Sequence, residues 1–368
     1  MYSINQKHLK TSPSSENQVI NSPRNLNFCI QKLFSTQYVK ILILLLISTF
    51  QIECQAQSTG DMGFLKTFKN ANPVVGVLTI PGKPEFMSYI GAQQFIFSMN
   101  ERFFANASID SVAIPYNINE KDLYDILDRI NGVFFTGGSL DLFNETTDEL
   151  HPYTITSQKI MTYALQKTDS GDYFPIVGIC QGIELLHIIV ANNTKALGWS
   201  KYENKDIYTE IEDPIDRKQS RFLNSLSEEV YQAIQGQDML YHLHHRGIPS
   251  AFYKTFPQLN DFFNILTVNT FDGQEIVSTA EAWNYPVYVF QYHPEIVYED
   301  DATDIQTDKS PHSYRYAQEL ARFLREEMLK SSHQFDSIEE IDRIRVKNGF
   351  KGKLGYIWEF AETYGFNY

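Results

Sequence analysis

The chain has 368 residues, of which 43% are hydrophobic and 21% charged, with a formal net charge of −14. That length and apolar share suffice for one large folded domain with extensions, and they exclude a disordered chain. The acidic balance, without a basic stripe or a basic-aromatic repeat, excludes a nucleic-acid binder.

Lys32 and Lys40 precede the apolar run from Ile41 to Phe50, and small residues follow at Cys54 and Ala56. Residues 1–56 therefore read as a signal peptide cleaved after Ala56, with a signal anchor as the alternative because the stretch before the run is long. The run is too short to span a bilayer comfortably, so no stable membrane span is expected. Cleavage would remove Cys29 and Cys54 and leave Cys180 as the one thiol of the mature chain. A lone cysteine on a secretory route is either a reactive thiol or an intermolecular bridge. Glycosylation sequons begin at Asn106, Asn144 and Asn192. Together these features predict a lysosomal, vacuolar or secreted glycoprotein.

Residues 57–72 read as a polar linker. The run 73–80 is apolar on both faces, as a parallel-sheet strand should be, and Pro81-Gly82 closes it. A helix is expected over 89–104 and a strand over 111–115. A helix near 119–130, capped by Asn119, leads to a strand over 132–135. That strand ends in Thr136-Gly137-Gly138-Ser139, at the sheet edge where open α/β folds bind ligands and where glycines let backbone N–H groups approach them. An ordinary turn is the competing reading of the glycine pair.

A helix around 156–166 returns the chain to a short apolar strand over 174–177. The strand runs into Gly178-Ile179-Cys180-Gln181-Gly182, helix-forming residues resume two positions after Cys180, and a helix is expected over 183–190. Small residues two positions either side of a nucleophile are what a sharp strand-to-helix turn requires. At a helix N-terminus the dipole and free N–H groups favour thiolate. A buried structural cysteine is the bland alternative.

A helix is expected over 225–234. The cluster His242, His244, His245 and Arg246 suits contact with an anionic substrate, and no acidic or cysteine ligand nearby completes a metal site. Strands over 262–270, 276–280 and 286–290 form an antiparallel or mixed extension. The last delivers Gln291-Tyr292-His293-Pro294-Glu295. Proline fixes the backbone there, and Glu295 can fold back on one ring nitrogen of His293 so that the other faces a thiol. A helix over 313–329 closes a domain reaching from 73 to 330, and residues 331–368 form a C-terminal extension packed on it.

The motifs Gly178 to Gly182, Phe135-Thr-Gly-Gly-Ser-Leu-Asp141 and Gln291 to Glu295, in this order, resemble the class I glutamine amidotransferase-like superfamily. Asp172 to Pro175, Asn264 to Thr270 and Tyr285 to Tyr288 narrow the resemblance to the gamma-glutamyl hydrolase family. It implies an α/β fold, a three-layer sandwich with a central, mostly parallel sheet and helices on both faces.

It also implies hydrolysis of the gamma-glutamyl amide bonds of folylpolyglutamates through a cysteine thioester, no cofactor and no metal, and a homodimer. Cys180 matches the nucleophile, His293 the general acid/base and Glu295 its orienting carboxylate. The N–H groups of Gly138 and Gln181 match the oxyanion hole, and Glu184 and His244 match substrate contacts. Tyr89 is a further substrate contact across an insertion between Tyr89 and Pro115, and Arg246 is expected to bind substrate anions beside them. Gln181 stands where many members carry an apolar residue, and Tyr292 replaces the usual tryptophan. The alternative functions are an amidase for other small gamma-glutamyl compounds and a catalytically silent binding protein on the same scaffold.

Overall fold

Strand β1 (Val74–Leu78) alternates its apolar side chains between two cores: Val74 and Leu78 pack in one, Val75 and Val77 in the other. A strand can bury both faces only inside a sheet covered on both sides. The neighbours supply that cover in the computed structural model, which describes residues 72–83, 87, 90–199, 207–209, 216–271, 273–299, 307–353 and 361–368. Residues 1–71, read as signal peptide and linker, and Tyr89 lie outside the described residues.

After β1 come β2 (Ile80–Pro81), β3 (Gln94–Phe97), helix α1 (Ser98–Asn106), β4 (Asp110–Ile114), α2 (Glu120–Leu127) and β5 (Gly132–Phe135). Helix α3 (Pro152–Asp169) leads to β6 (Ile176–Ile179), and α4 (Gln181–Ala191) follows without a gap beyond Cys180. Short strands β7 (Gly198–Trp199), β8 (Ile207–Thr209), β9 (Leu240–His242) and β10 (Arg246–Gly247) lie beside the site, with α5 (Glu228–Gly236) between β8 and β9.

Strands β11 (Phe263–Phe271), β12 (Gln274–Ala282) and β13 (Val287–Phe290) precede α6 (Pro311–Met328). The main sheet has seven strands in the order β11-β12-β13-β6-β5-β1-β4. From β13 to β4 every pairing is parallel, and β11 and β12 add antiparallel strands at one edge. Helices α2, α3 and α4 pack on one face, and α1, α5 and α6 on the other. This is the expected mostly parallel sheet between two helical layers.

Local signals account for several boundaries. The Asn119 side chain accepts from the Asp122 N–H at 3.1 Å and starts α2, an N-cap generally worth about 1 kcal/mol. The elbow strand begins at Ile176, two residues later than expected, because Pro175 has no N–H to pair and offers only its carbonyl, to Val133.

The segment expected as a helix over 89–104 is different. Its first described half is β3, and only Ser98–Asn106 is helical. The reason is tertiary. After β14 (Phe350–Lys353), β15 (Glu362–Phe366) brings Tyr364 beside Ile96 and Thr363 beside Phe97, in a second sheet ordered β14-β15-β3-β2. The C-terminal segment thus contributes two strands, and its Arg345 Nη1 lies 2.5 Å from Asp110 Oδ1.

Candidate active site

Parallel pairing of β6 with β13 sets Ile179 beside Phe290, so both chains leave the sheet at the same edge. The Cys180 N–H donates to the Phe290 carbonyl at 2.7 Å. Beyond that bond Cys180 turns at φ 49°, ψ −106° into α4. Such a backbone is costly for a residue with a Cβ and persists only where its surroundings enforce it. They do so through the glycines: a Cβ on Gly182 would sit 2.4 Å from the Phe135 carbonyl oxygen, and one on Gly178 2.7 Å from that of Gly182. The elbow needs both.

His293 stands one turn beyond β13, its N–H held by the Tyr241 carbonyl at 2.8 Å. Its Nδ1 lies 2.8 Å from Glu295 Oε1, with both side chains essentially inaccessible to solvent. Glu295 therefore accepts a hydrogen bond from Nδ1–H, which turns Nε2 to the other side. There the imidazole and Cys180 act on each other through charge. Burial pushes the Cys180 thiol up, and the imidazole works against that rise. Burial likewise opposes charge on His293, yet Cys180 and Glu295 hold it above the ordinary histidine range. Thiol and imidazole titrate as one unit.

The pair opens on a cavity of about 450 Å³ whose wall includes Gly138, Gln181, Glu184, His244 and Arg246. Sequence reasoning had placed these five residues in one site, and the fold does bring them together. A Cβ on Gly137 would lie 2.5 Å from His293 Cε1 and 3.2 Å from Cys180 Cβ, so the glycine loop rests directly on the pair.

Glu184, on the first turn of α4, is pushed up to about 8 by burial, with Arg246 and Gln291 pulling it back. It enters the cavity wall as a neutral acid below that pH, so it can donate as well as accept. Gln291 is a site neighbour that the sequence reading missed; its only signal was its place two residues before the histidine.

One expectation is corrected. His244 was expected, within the His242 to Arg246 cluster, to contact an anionic substrate. Burial instead holds it down to about 3, and its neighbour His242 well below the ordinary range. His244 Nδ1 donates to the Arg246 carbonyl at 2.8 Å, so its Nε2 is the acceptor for His242 Nδ1 at 3.1 Å. The chain of bonds defines two neutral rings. Arg246 is ion-paired with Glu145 at the cavity rim. Tyr292, which stands where the family usually has tryptophan, is fully buried, with its hydroxyl 3.0 Å from Thr279 and bonded to Tyr316.

The buried rings have a consequence for stability. His187, pushed down to about 4 by burial between the Ile183 carbonyl and Tyr253, joins His242 and His244. In each the folded value lies below the unfolded one. The unfolded chain therefore takes protons first, and stability is lost as pH falls below about 6.5, by roughly 1.4 kcal/mol per unit and group. Glu184 has the opposite sign and offsets about one of them over the same window. Thermal melts should show a lower Tm at pH 5 than at pH 7, and an unchanged Tm would reject the buried neutral rings.

A thiol on a strained elbow, coupled by charge to a carboxylate-held imidazole at the end of a pocket, is built for nucleophilic attack on a carbonyl, the chemistry of a cysteine hydrolase on an α/β scaffold. The chain belongs to the Peptidase C26 family, whose model matches residues 73–295. Curated relatives agree along most of their length. Gamma-glutamyl hydrolase of Rattus norvegicus is 28% identical over 74% of this chain and 83% of its own. That of Homo sapiens is 26% identical over 80% and 90%. Gamma-glutamyl hydrolase B of Dictyostelium discoideum is 27% identical over 82% and 85%.

Proposed function

We propose that this chain hydrolyses gamma-glutamyl amide bonds, with folylpolyglutamates as substrate. The observation that carries the reading is the Cys180, His293 and Glu295 set at one end of a cavity walled by Glu184, His244 and Arg246. Names of the relatives support the bond type.

Cys180 Sγ attacks the gamma-carbonyl and its proton passes to His293 Nε2. The oxyanion forms between the N–H groups of Gly138 and Gln181, at the positive end of α4. His293 then protonates the departing amine, leaving a thioester on Cys180. Water resolves it: the imidazole takes a proton from the water, and the thiol is regenerated as a gamma-glutamate carboxylate leaves. Glu295 holds the ring orientation through both halves. Glu184, protonated at mildly acidic pH, supplies hydrogen bonds to the glutamyl carboxylate and amide, the neutral His244 ring lines the pocket beside it, and Arg246 exchanges Glu145 for a substrate carboxylate.

The same proposal covers the chain's route. Asn106, Asn144 and Asn192 are all exposed, as an acceptor must be, and with residues 1–56 they argue for a secretory-pathway glycoprotein; that it is a homodimer is what the family resemblance implies. Among the described residues no helix is long and apolar enough to cross a membrane.

The deciding experiment uses glycoprotein purified from a eukaryotic secretory host. Its products from a defined pteroyl-pentaglutamate are followed by mass spectrometry beside gamma-glutamyl anilide. Shortened folates with released glutamate or glutamyl peptides are expected. Cleavage of the anilide alone would replace folate by small gamma-glutamyl compounds, and cleavage of neither would end the proposal.

A further inference from the structure

We propose that the side chain of Gln181 is a positioning group that sets the distance between the two oxyanion donors. This rests on the acyl-transfer reading above and concerns a part of the residue that reading leaves unused. Gln181 heads α4 and is buried. Its Nε2 donates to the Leu140 carbonyl at 2.7 Å, and the Leu140 N–H donates to its Oε1 at 3.2 Å. A primary amide here makes the two-point pairing that a neighbouring strand would make, with a loop that has no strand beside it.

The loop so gripped is the one that carries Gly138. At its near end Thr136 Oγ1 accepts from Asn100 Nδ2 at 2.6 Å, and at its far end stands the Gln181 amide. Between the two anchors lie only Gly137 and Gly138, the most mobile backbone type, and Ser139. Gly138 itself runs close beneath the clamp, since a Cβ there would stand 3.0 Å from Gln181 Oε1.

One residue thus supplies a donor from its backbone, fixed by the strained elbow, and restrains the segment bearing the other donor with its side chain. An oxyanion hole works because its donors are in place before charge develops, so restraint of this kind acts on kcat rather than on binding. An apolar side chain of similar size would fill the volume and leave both polar groups of Leu140 without this partner.

The test compares Gln181→Leu and Gln181→Glu with the wild type, each checked by thermal melt. A misplacement near 1 Å costs about a hundredfold, so Gln181→Leu should lower kcat roughly 10- to 100-fold with KM within about threefold. Gln181→Glu keeps the acceptor for the Leu140 N–H. It can donate to the Leu140 carbonyl only when protonated, so its kcat relative to wild type should climb as pH falls through the new carboxyl's pKa. A side chain that merely fills space predicts no such climb.

Unchanged kcat in Gln181→Leu, or a flat ratio in Gln181→Glu, overturns the inference. If Gln181→Leu does not fold, the nearly isosteric Gln181→Glu profile decides alone. Full activity in Cys180→Ser would instead defeat the acyl-transfer reading, whatever the Gln181 variants do.

Discussion

Cys180→Ser should reduce turnover by a factor on the order of 10⁴ to 10⁶, the loss that follows when the nucleophile of a unitary catalytic set is removed. An alcohol is far harder to ionise than a thiol, and the His293 and Glu295 pair is matched to the proton of a sulfur that imidazole already contacts. The fold should not follow the activity. The thiol makes one hydrogen bond, to the Leu243 carbonyl at 3.4 Å, and a hydroxyl can make the same one. The cost in stability is then expected to stay within about 1 kcal/mol. Rates on a gamma-glutamyl substrate, a melt, and intact-mass detection of an acyl adduct on the wild-type chain would together check this. Near-native rates from a folded serine variant would remove Cys180 from the reaction.

Gly137→Ala carries the second large effect. The new methyl would need to occupy space 2.5 Å from His293 Cε1 and 3.2 Å from Cys180 Cβ. Neither is the far end of a flexible chain. His293 is locked by Glu295 and by the Tyr241 carbonyl, and Cys180 by its backbone bond to Phe290. Either the ring retreats from the sulfur or the loop lifts the Gly138 donor away, and each displacement costs about a hundredfold or more in kcat/KM. Gly138→Ala makes a sharp contrast, because its nearest obstacle is the Gln181 amide oxygen, a side-chain end at 3.0 Å. The loss should be clearly smaller there. Steady-state kinetics and the rate of Cys180 alkylation by iodoacetamide, measured on both variants, should rank Gly137 well above Gly138. The reverse ranking would mean the loop does not lie where it is described.

Much of this site was legible before any coordinates, and the reason is that its decisive signals are local. A cysteine between glycines two positions away can be read as an elbow because the clash that excludes a Cβ, against Phe135 and Gly182, arises wherever a helix turns sharply off a central strand. The His293, Pro294 and Glu295 triplet places carboxylate and imidazole within reach across a single intervening residue. Asn119 announced its helix by the residue alone. The chain order of β5, β6 and β13, each ending in a motif, fixed which motifs could meet at one edge of a parallel sheet.

What the linear pattern could not supply was everything that depends on a partner distant along the chain. Gln94 to Phe97 reads as easily helical as extended until β15, which lies more than 260 residues later, provides the backbone groups that make it a strand. The protonation of His242 and His244 is likewise a property of burial, which only packing creates: on paper they are basic, and in the fold they are neutral and bonded to each other.

The sequence by itself therefore determined the order of the chemical groups and the local turns that expose them, because short-range sterics and capping decide those within a few residues. The tertiary structure alone decided which groups are charged, and which loop Gln181 grips. Desolvation and long-range hydrogen bonds come into being only when separated segments close around one another.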